Sequence, residues 1–125
     1  VAYKCSLLNM HILLIGGDIS NNAYRSYGNL ATETIDYIHI DLAILGTKGF
    51  QGTHSFTSYE NEYILKRHVL QQSEIIVVAD RHKFHNPAEY PYCKFREVDV
   101  FITNPLTANE HQKIQEIQEI IEAED

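Results

Sequence analysis

The stretch Asp41-Leu42-Ala43-Ile44-Leu45-Gly46-Thr47-Lys48-Gly49 is a short apolar run that ends at one glycine and meets a second three residues later. A run of this length bounded by turn residues reads as a buried strand that stops abruptly. Its counterpart is Ile75-Ile76-Val77-Val78-Ala79-Asp80-Arg81-His82-Lys83-Phe84, another apolar run that ends in polar residues. An amphipathic helical pattern separates the two. In a parallel sheet the carboxyl ends of strands share one edge, where backbone amides and helix N-termini face a ligand. Both turns are expected on that edge.

Working outward, strands are expected at 10–15, 42–45, 74–79 and 98–103, closed by Gly16-Gly17, Gly46, Asp80 and Asn104-Pro105. Helical spacing covers 27–38 through Leu30, Ile35 and Ile38. A second helix is expected to open with the capping box Thr57-Ser58-Tyr59-Glu60, run to about residue 72, and use Tyr63, Ile64, Val69 and Leu70 as its inner face. A third opens with Thr107-Ala108-Asn109-Glu110 and carries Ile114, Ile117, Ile120 and Ile121 along one side. The stretch 85–96, with Pro87 and Pro91, reads as a loop holding one short edge strand near 92–95. Alternation of strands and helices gives an α/β fold with a parallel, doubly covered sheet.

A chain of 125 residues fits one domain and can bury roughly two thirds of its unfolded surface. No apolar run approaches the roughly 20 residues of a membrane helix, and no signal-peptide pattern opens the chain, so a cytoplasmic protein is expected. Val1 leads the sequence and Met10 is its one methionine, which suggests a fragment or processed product. The net charge of −7 is uneven: from 110 onward Glu110, Glu116, Glu119, Glu122, Glu124 and Asp125 face Lys113 alone. Seven of the ten Lys and Arg residues lie between Lys48 and Arg96, enough for an anion pocket but not for a basic DNA-binding face. Cys5 and Cys93 form no CxxC pair and read as free thiols. His82, His85, Glu89 and Cys93 match no zinc spacing, and no Gly-x-Ser-x-Gly elbow or dinucleotide fingerprint occurs. No metal or cofactor is expected.

The candidate site follows from the strand ends. Gly46 and Gly49 let the backbone bend and approach a ligand, and Lys48 between them can neutralise an anion; a plain turn with a solvated lysine fits the same residues. Glu62 and Lys66 lie four apart on one helical face, either as an exposed ion pair or, at the crevice, as readers of a hydroxyl and an anion. Asp80 stands at the end of an apolar run with Lys83 three residues on, either capping a turn or facing ligand hydroxyls.

Taken in order, Leu14-Ile15-Gly16-Gly17, Gly28, Asp41-Leu42-Ala43-Ile44-Leu45-Gly46 with Gly49, Phe56-Thr57 leading into Glu62-Tyr63-Ile64-Leu65-Lys66, Ala79-Asp80-Arg81-His82-Lys83-Phe84 and Val98-Asp99-Val100-Phe101-Ile102-Thr103-Asn104 form a series. From about 12 to 104 this series resembles the effector-sensing domain of DeoR-family transcriptional repressors. The resemblance implies a fold shared with ribose-5-phosphate isomerase and glucosamine-6-phosphate deaminase, a parallel-rich sheet flanked by helices. It implies a non-catalytic role: binding a phosphorylated sugar or related metabolite and passing occupancy to DNA through an N-terminal winged helix-turn-helix. That domain and the family's Asp-x-Gly-Thr-Thr phosphate loop are absent from this sequence, which resembles the sensor domain from about one third of its length onward. By the same resemblance Lys66 and Lys83 hold anionic or hydroxyl groups, the 46–49 backbone lies against the ligand, and Glu62 and Asp80 read sugar hydroxyls. The family often carries Asn at the position of Lys48, Ser-Ser at Arg81-His82 and Asp at Asn104.

Two other functions fit the same residues. A sugar-phosphate isomerase or deaminase could use Glu62 and Asp80 to move protons. A module that only self-associates would use exposed sheet edges to form a homo-oligomer.

Overall fold

The computed structural model describes residues 1–19, 21, 25–52, 55–86 and 89–124. Pro87 and Asp125 lie outside them. In chain order the elements are α1 (Ala2–Ser6), β1 (Asp18–Ile19), β2 (Ser26–Tyr27), α2 (Asn29–Tyr37), β3 (Leu42–Gly46), β4 (Gly49–Gln51), β5 (Ser55–Ser58), α3 (Glu60–Leu70), β6 (Glu74–Val78), β7 (Tyr90–Lys94), β8 (Val100–Thr103), α4 (Ala108–Lys113) and β9 (Glu119–Glu122), with 3₁₀ turns at Arg81–His85 and Phe95–Glu97.

The main sheet is parallel throughout, in the order β3-β6-β8-β9, with Ala43 opposite Ile75 and Val77 opposite Phe101. Side chains alternate across a strand, so Ala43, Ile75, Val77 and Phe101 face one side, where α2 and α3 supply Ile35 and Val69. A smaller antiparallel sheet, β4-β5-β7, completes that core. Phe50, Phe56, Phe95 and Phe101 meet there with ring centroids 4.9–6.1 Å apart, and Phe84 stacks on Phe50 at 4.1 Å. Burying rings of this size dominates the stability of a small core. On the opposite sheet face Leu42, Ile44, Val78 and Ile121 are exposed, so the double coverage expected from the alternation is not seen among the described residues.

Several local readings change. The run 10–15 is irregular, because a strand needs a neighbour to take its backbone hydrogen bonds and none pairs with it among the described residues; Leu13 and Leu14 are exposed. The expected capping box at Thr57 is absent, since 55–58 pairs with β4 and β7 and extends the strand into those positions. The cap of α3 is Tyr59, without a side-chain bond, and Ile64 and Leu30 point to solvent. The box at Thr107 forms, with Glu110 returning to the Thr107 N–H at 2.8 Å, but α4 stops at Lys113. Glu119-Ile120-Ile121-Glu122 then pairs in parallel with β8, from Val100 opposite Glu119 to Thr103 opposite Glu122. Apolar spacing at 114, 117, 120 and 121 suits a helix, yet two adjacent β-branched residues gain a whole row of ladder bonds as a strand. Strand β7 is an edge strand, as expected, and carries Pro91 beside a bulge of its own, where Tyr92 is the extra residue opposite the Phe56–Thr57 step of β5.

Candidate functional site

A cleft of about 560 Å³ opens where β3 ends, walled by the 46–48 turn, one face of α3, and Arg25 and Lys83 from flanking segments. It gathers Gly46, Lys48, Glu62, Lys66 and Lys83, five of the seven residues singled out from the sequence. Four cations, Arg25, Lys48, Lys66 and Lys83, surround one carboxylate, Glu62, among the described lining residues of a chain whose net charge is −7.

The turn is built by hydroxyls and amides. Thr47 Oγ1 donates to the Thr57 carbonyl at 2.7 Å and accepts from the Thr57 N–H at 3.2 Å, while the Lys48 N–H reaches that same carbonyl at 2.9 Å. The parallel strand is thereby tied to the antiparallel sheet just where the chain changes direction.

Glu62 is the hub. Its side chain is 15% exposed; one oxygen accepts from Ser58 Oγ at 3.0 Å and lies 3.2 Å from Lys66 Nζ, and the other pairs with the Arg25 guanidinium. The helical 62/66 pair is therefore largely buried and not a solvated surface pair. Lys66 also donates to the Gly46 carbonyl at 2.7 Å and sits 4.5 Å above the Tyr92 ring, whose hydroxyl donates to the same carbonyl at 3.1 Å. Burial, with the Arg25 charge second, pulls the Lys66 ammonium down from 10.5 to about 8. Tyr59 lies between Arg25 and Lys48, each under 5 Å from its ring centre, so the aromatic face holds two cations toward the cleft mouth.

Gly49 and Asp80 stand outside the cleft lining. A Cβ on Gly49 would come within 2.8 Å of the Asn86 carbonyl, and Asn86 Nδ2 donates to the Lys48 carbonyl at 3.0 Å, so the glycine permits the packing that fixes the turn. Asp80 caps the Arg81–His85 turn by accepting the His82 N–H at 2.8 Å, and that turn carries Lys83 to the cleft. Arg25, Tyr59, Ser58 and Tyr92 were not legible as site residues. The four-residue spacing from Ser58 to Glu62 at the start of α3 was an available signal.

The cleft lies at the carboxyl end of a parallel strand, the edge where parallel α/β domains commonly place ligands. The family model for the DeoR C terminal sensor domain matches residues 3–105, and the chain belongs to that family. Among curated proteins it is similar to the HTH-type transcriptional repressor GlcR of Bacillus subtilis, at 29% identity over 78% of this chain and 38% of that protein. It is also similar to the HTH-type transcriptional regulator GolR of Listeria innocua, at 27% identity over 86% of this chain and 44% of that protein. The chain thus spans less than half the length of these relatives. Among the described residues no helix is long and apolar enough to cross a membrane, and no cluster of His, Cys, Asp and Glu is arranged to hold a metal ion.

Proposed function

We propose that this chain is a single, partial sensing domain, 1–125, of a transcriptional repressor of sugar metabolism, and that its effector is a phosphorylated sugar bound in the cleft at the end of β3. The observation that carries the reading is the four-to-one excess of cations over carboxylates around a concave site in an acidic chain. Lys48, Lys66 and Lys83 take the phosphate, as ammonium groups bind phosphate oxygens by charge-assisted hydrogen bonds. Glu62 accepts from sugar hydroxyls, and the Gly46 backbone lies against the ring; Gly49 and Asp80 act by holding the turns that present Lys48 and Lys83. Bound phosphate replaces Glu62 as partner to part of the cation cluster, and the change in ion pairing is what the rest of the protein reads. Occupancy shifts a conformational equilibrium only by the ligand's differential affinity for the two states. The protein acts in the cytoplasm as a homo-oligomer, reaches DNA through a separate helix-turn-helix domain, and has no catalytic role. The HTH-type repressor and regulator names of its relatives support the route to DNA.

Calorimetric titration with a panel of pentose, hexose and hexosamine phosphates tests the proposal. Saturable heat with at least one of them, lost in Lys66→Gln, is expected. Absence of heat with every member refutes it, and turnover of any member abolished by Glu62→Gln would make the protein an enzyme instead.

A further inference from the structure

A second concave site lies on the far side of α3. It has a volume of about 320 Å³, and among the described residues its lining shares none with the first cleft. Its floor is made by buried Tyr92, Cys93 and Ser55, and its rim carries Arg67, Lys94 and Arg96 against the single carboxylate Glu97. We infer that this cavity is a second anion site, which takes the phosphate or carboxylate group of a metabolite-sized molecule.

Arg67 is the anchor. One of its terminal nitrogens donates to the Tyr92 carbonyl at 3.0 Å, which fixes the guanidinium plane at the cavity wall. The same nitrogen lies 3.5 Å from Glu97 Oε1, well beyond the roughly 2.7–2.9 Å of a close charge-assisted pair, so the carboxylate leaves much of the fork's donor capacity open. The other Glu97 oxygen is committed to the Lys94 backbone N–H at 2.7 Å. Glu97 therefore braces the Phe95–Glu97 turn, and Lys94 and Arg96 extend from either side of that brace. Two oxygens of a phosphate or carboxylate on the Arg67 fork leave the anion between both of them. A concave site with a buried floor suits a small molecule better than an acidic peptide, which needs an open groove.

The experiment is an amide NMR titration of the full chain with inorganic phosphate, set against chloride at matched ionic strength, in wild type, in Lys94→Gln/Arg96→Gln, and in Lys66→Gln. The two rim residues are exposed, so the double variant keeps the core intact. Saturable shifts at Ser55, Tyr63, Arg67 and Lys94 are expected, persisting in Lys66→Gln and weakened about tenfold or more in the double variant. Shifts limited to the surroundings of Lys48 and Lys66, or shifts reproduced by chloride, would overturn the assignment. So would broadening at Tyr63 and Lys94 that grows with protein concentration without phosphate, which would give this face to another copy of the chain.

Discussion

Replacing Glu62 by Gln removes one charge from a cluster in which Arg25, Lys66 and Ser58 converge on one carboxylate, with Glu62 and Lys66 only 15% and 13% exposed. Breaking a buried pair by deleting one partner costs about 3–5 kcal/mol, because the opposite charge is left without compensation. Arg25 is 33% exposed and Lys66 keeps the Gly46 carbonyl, so solvent and backbone recover part of the loss. The low end applies, about 3 kcal/mol. For a urea dependence of about 2 kcal/mol per molar, the midpoint falls by about 1.5 M with the slope unchanged. Glu60→Gln, an exposed change in the same helical turn, should stay within about 0.5 kcal/mol. Equilibrium urea unfolding at pH 7 reads both. A loss below about 1 kcal/mol for Glu62→Gln would refute the idea that this carboxylate holds the cation cluster together.

The Lys66 ammonium gives a pH dependence of known sign. The unfolded chain keeps that proton to about pH 10.5 whereas the fold releases it near 8, so unfolding takes up a proton between those values and this group's contribution to stability rises with pH across that window. The slope should be missing in Lys66→Met, as followed by urea midpoints from pH 7.5 to 10.5. Gly49→Ala drives a Cβ to 2.8 Å from the Asn86 carbonyl, a backbone atom, and should cost about 1–3 kcal/mol, read as a fall in melting temperature. Burial, reinforced by Glu97, pushes the Cys93 thiol up to about 12, whereas Cys5 is half-buried. Native protein at pH 8 should therefore label at Cys5 with a thiol reagent and spare Cys93 until unfolded, as peptide mass mapping will report.

The parallel sheet was legible because β3, β6 and β8 are continuous apolar runs closed by glycine, Asp80 or Asn104-Pro105, although only one face of the sheet is covered among the described residues. The antiparallel sheet was not. Its strands are three to five residues long and carry polar side chains such as Ser55, Thr57 and Ser58, which are buried only because partner strands satisfy their backbone. The same shortness hid β9 behind a helical apolar spacing. Within the cleft, Lys66 and Glu62 could be paired by helical period, and Lys48 and Lys83 by their place after strand ends. Arg25 could not, since it comes from a stretch without periodicity and reaches Glu62 across 37 residues of sequence. Asp80 followed the blander of its two readings, as a turn cap.

The most direct test is a crystal structure of the protein with the sugar phosphate that binds most tightly in calorimetry. The account predicts phosphate density within hydrogen-bonding reach of at least two of Lys48, Lys66 and Lys83, with a sugar hydroxyl on Glu62. Ligand density elsewhere on the molecule, with that cleft still occupied only by its own Lys66–Glu62–Arg25 pairing, would contradict it.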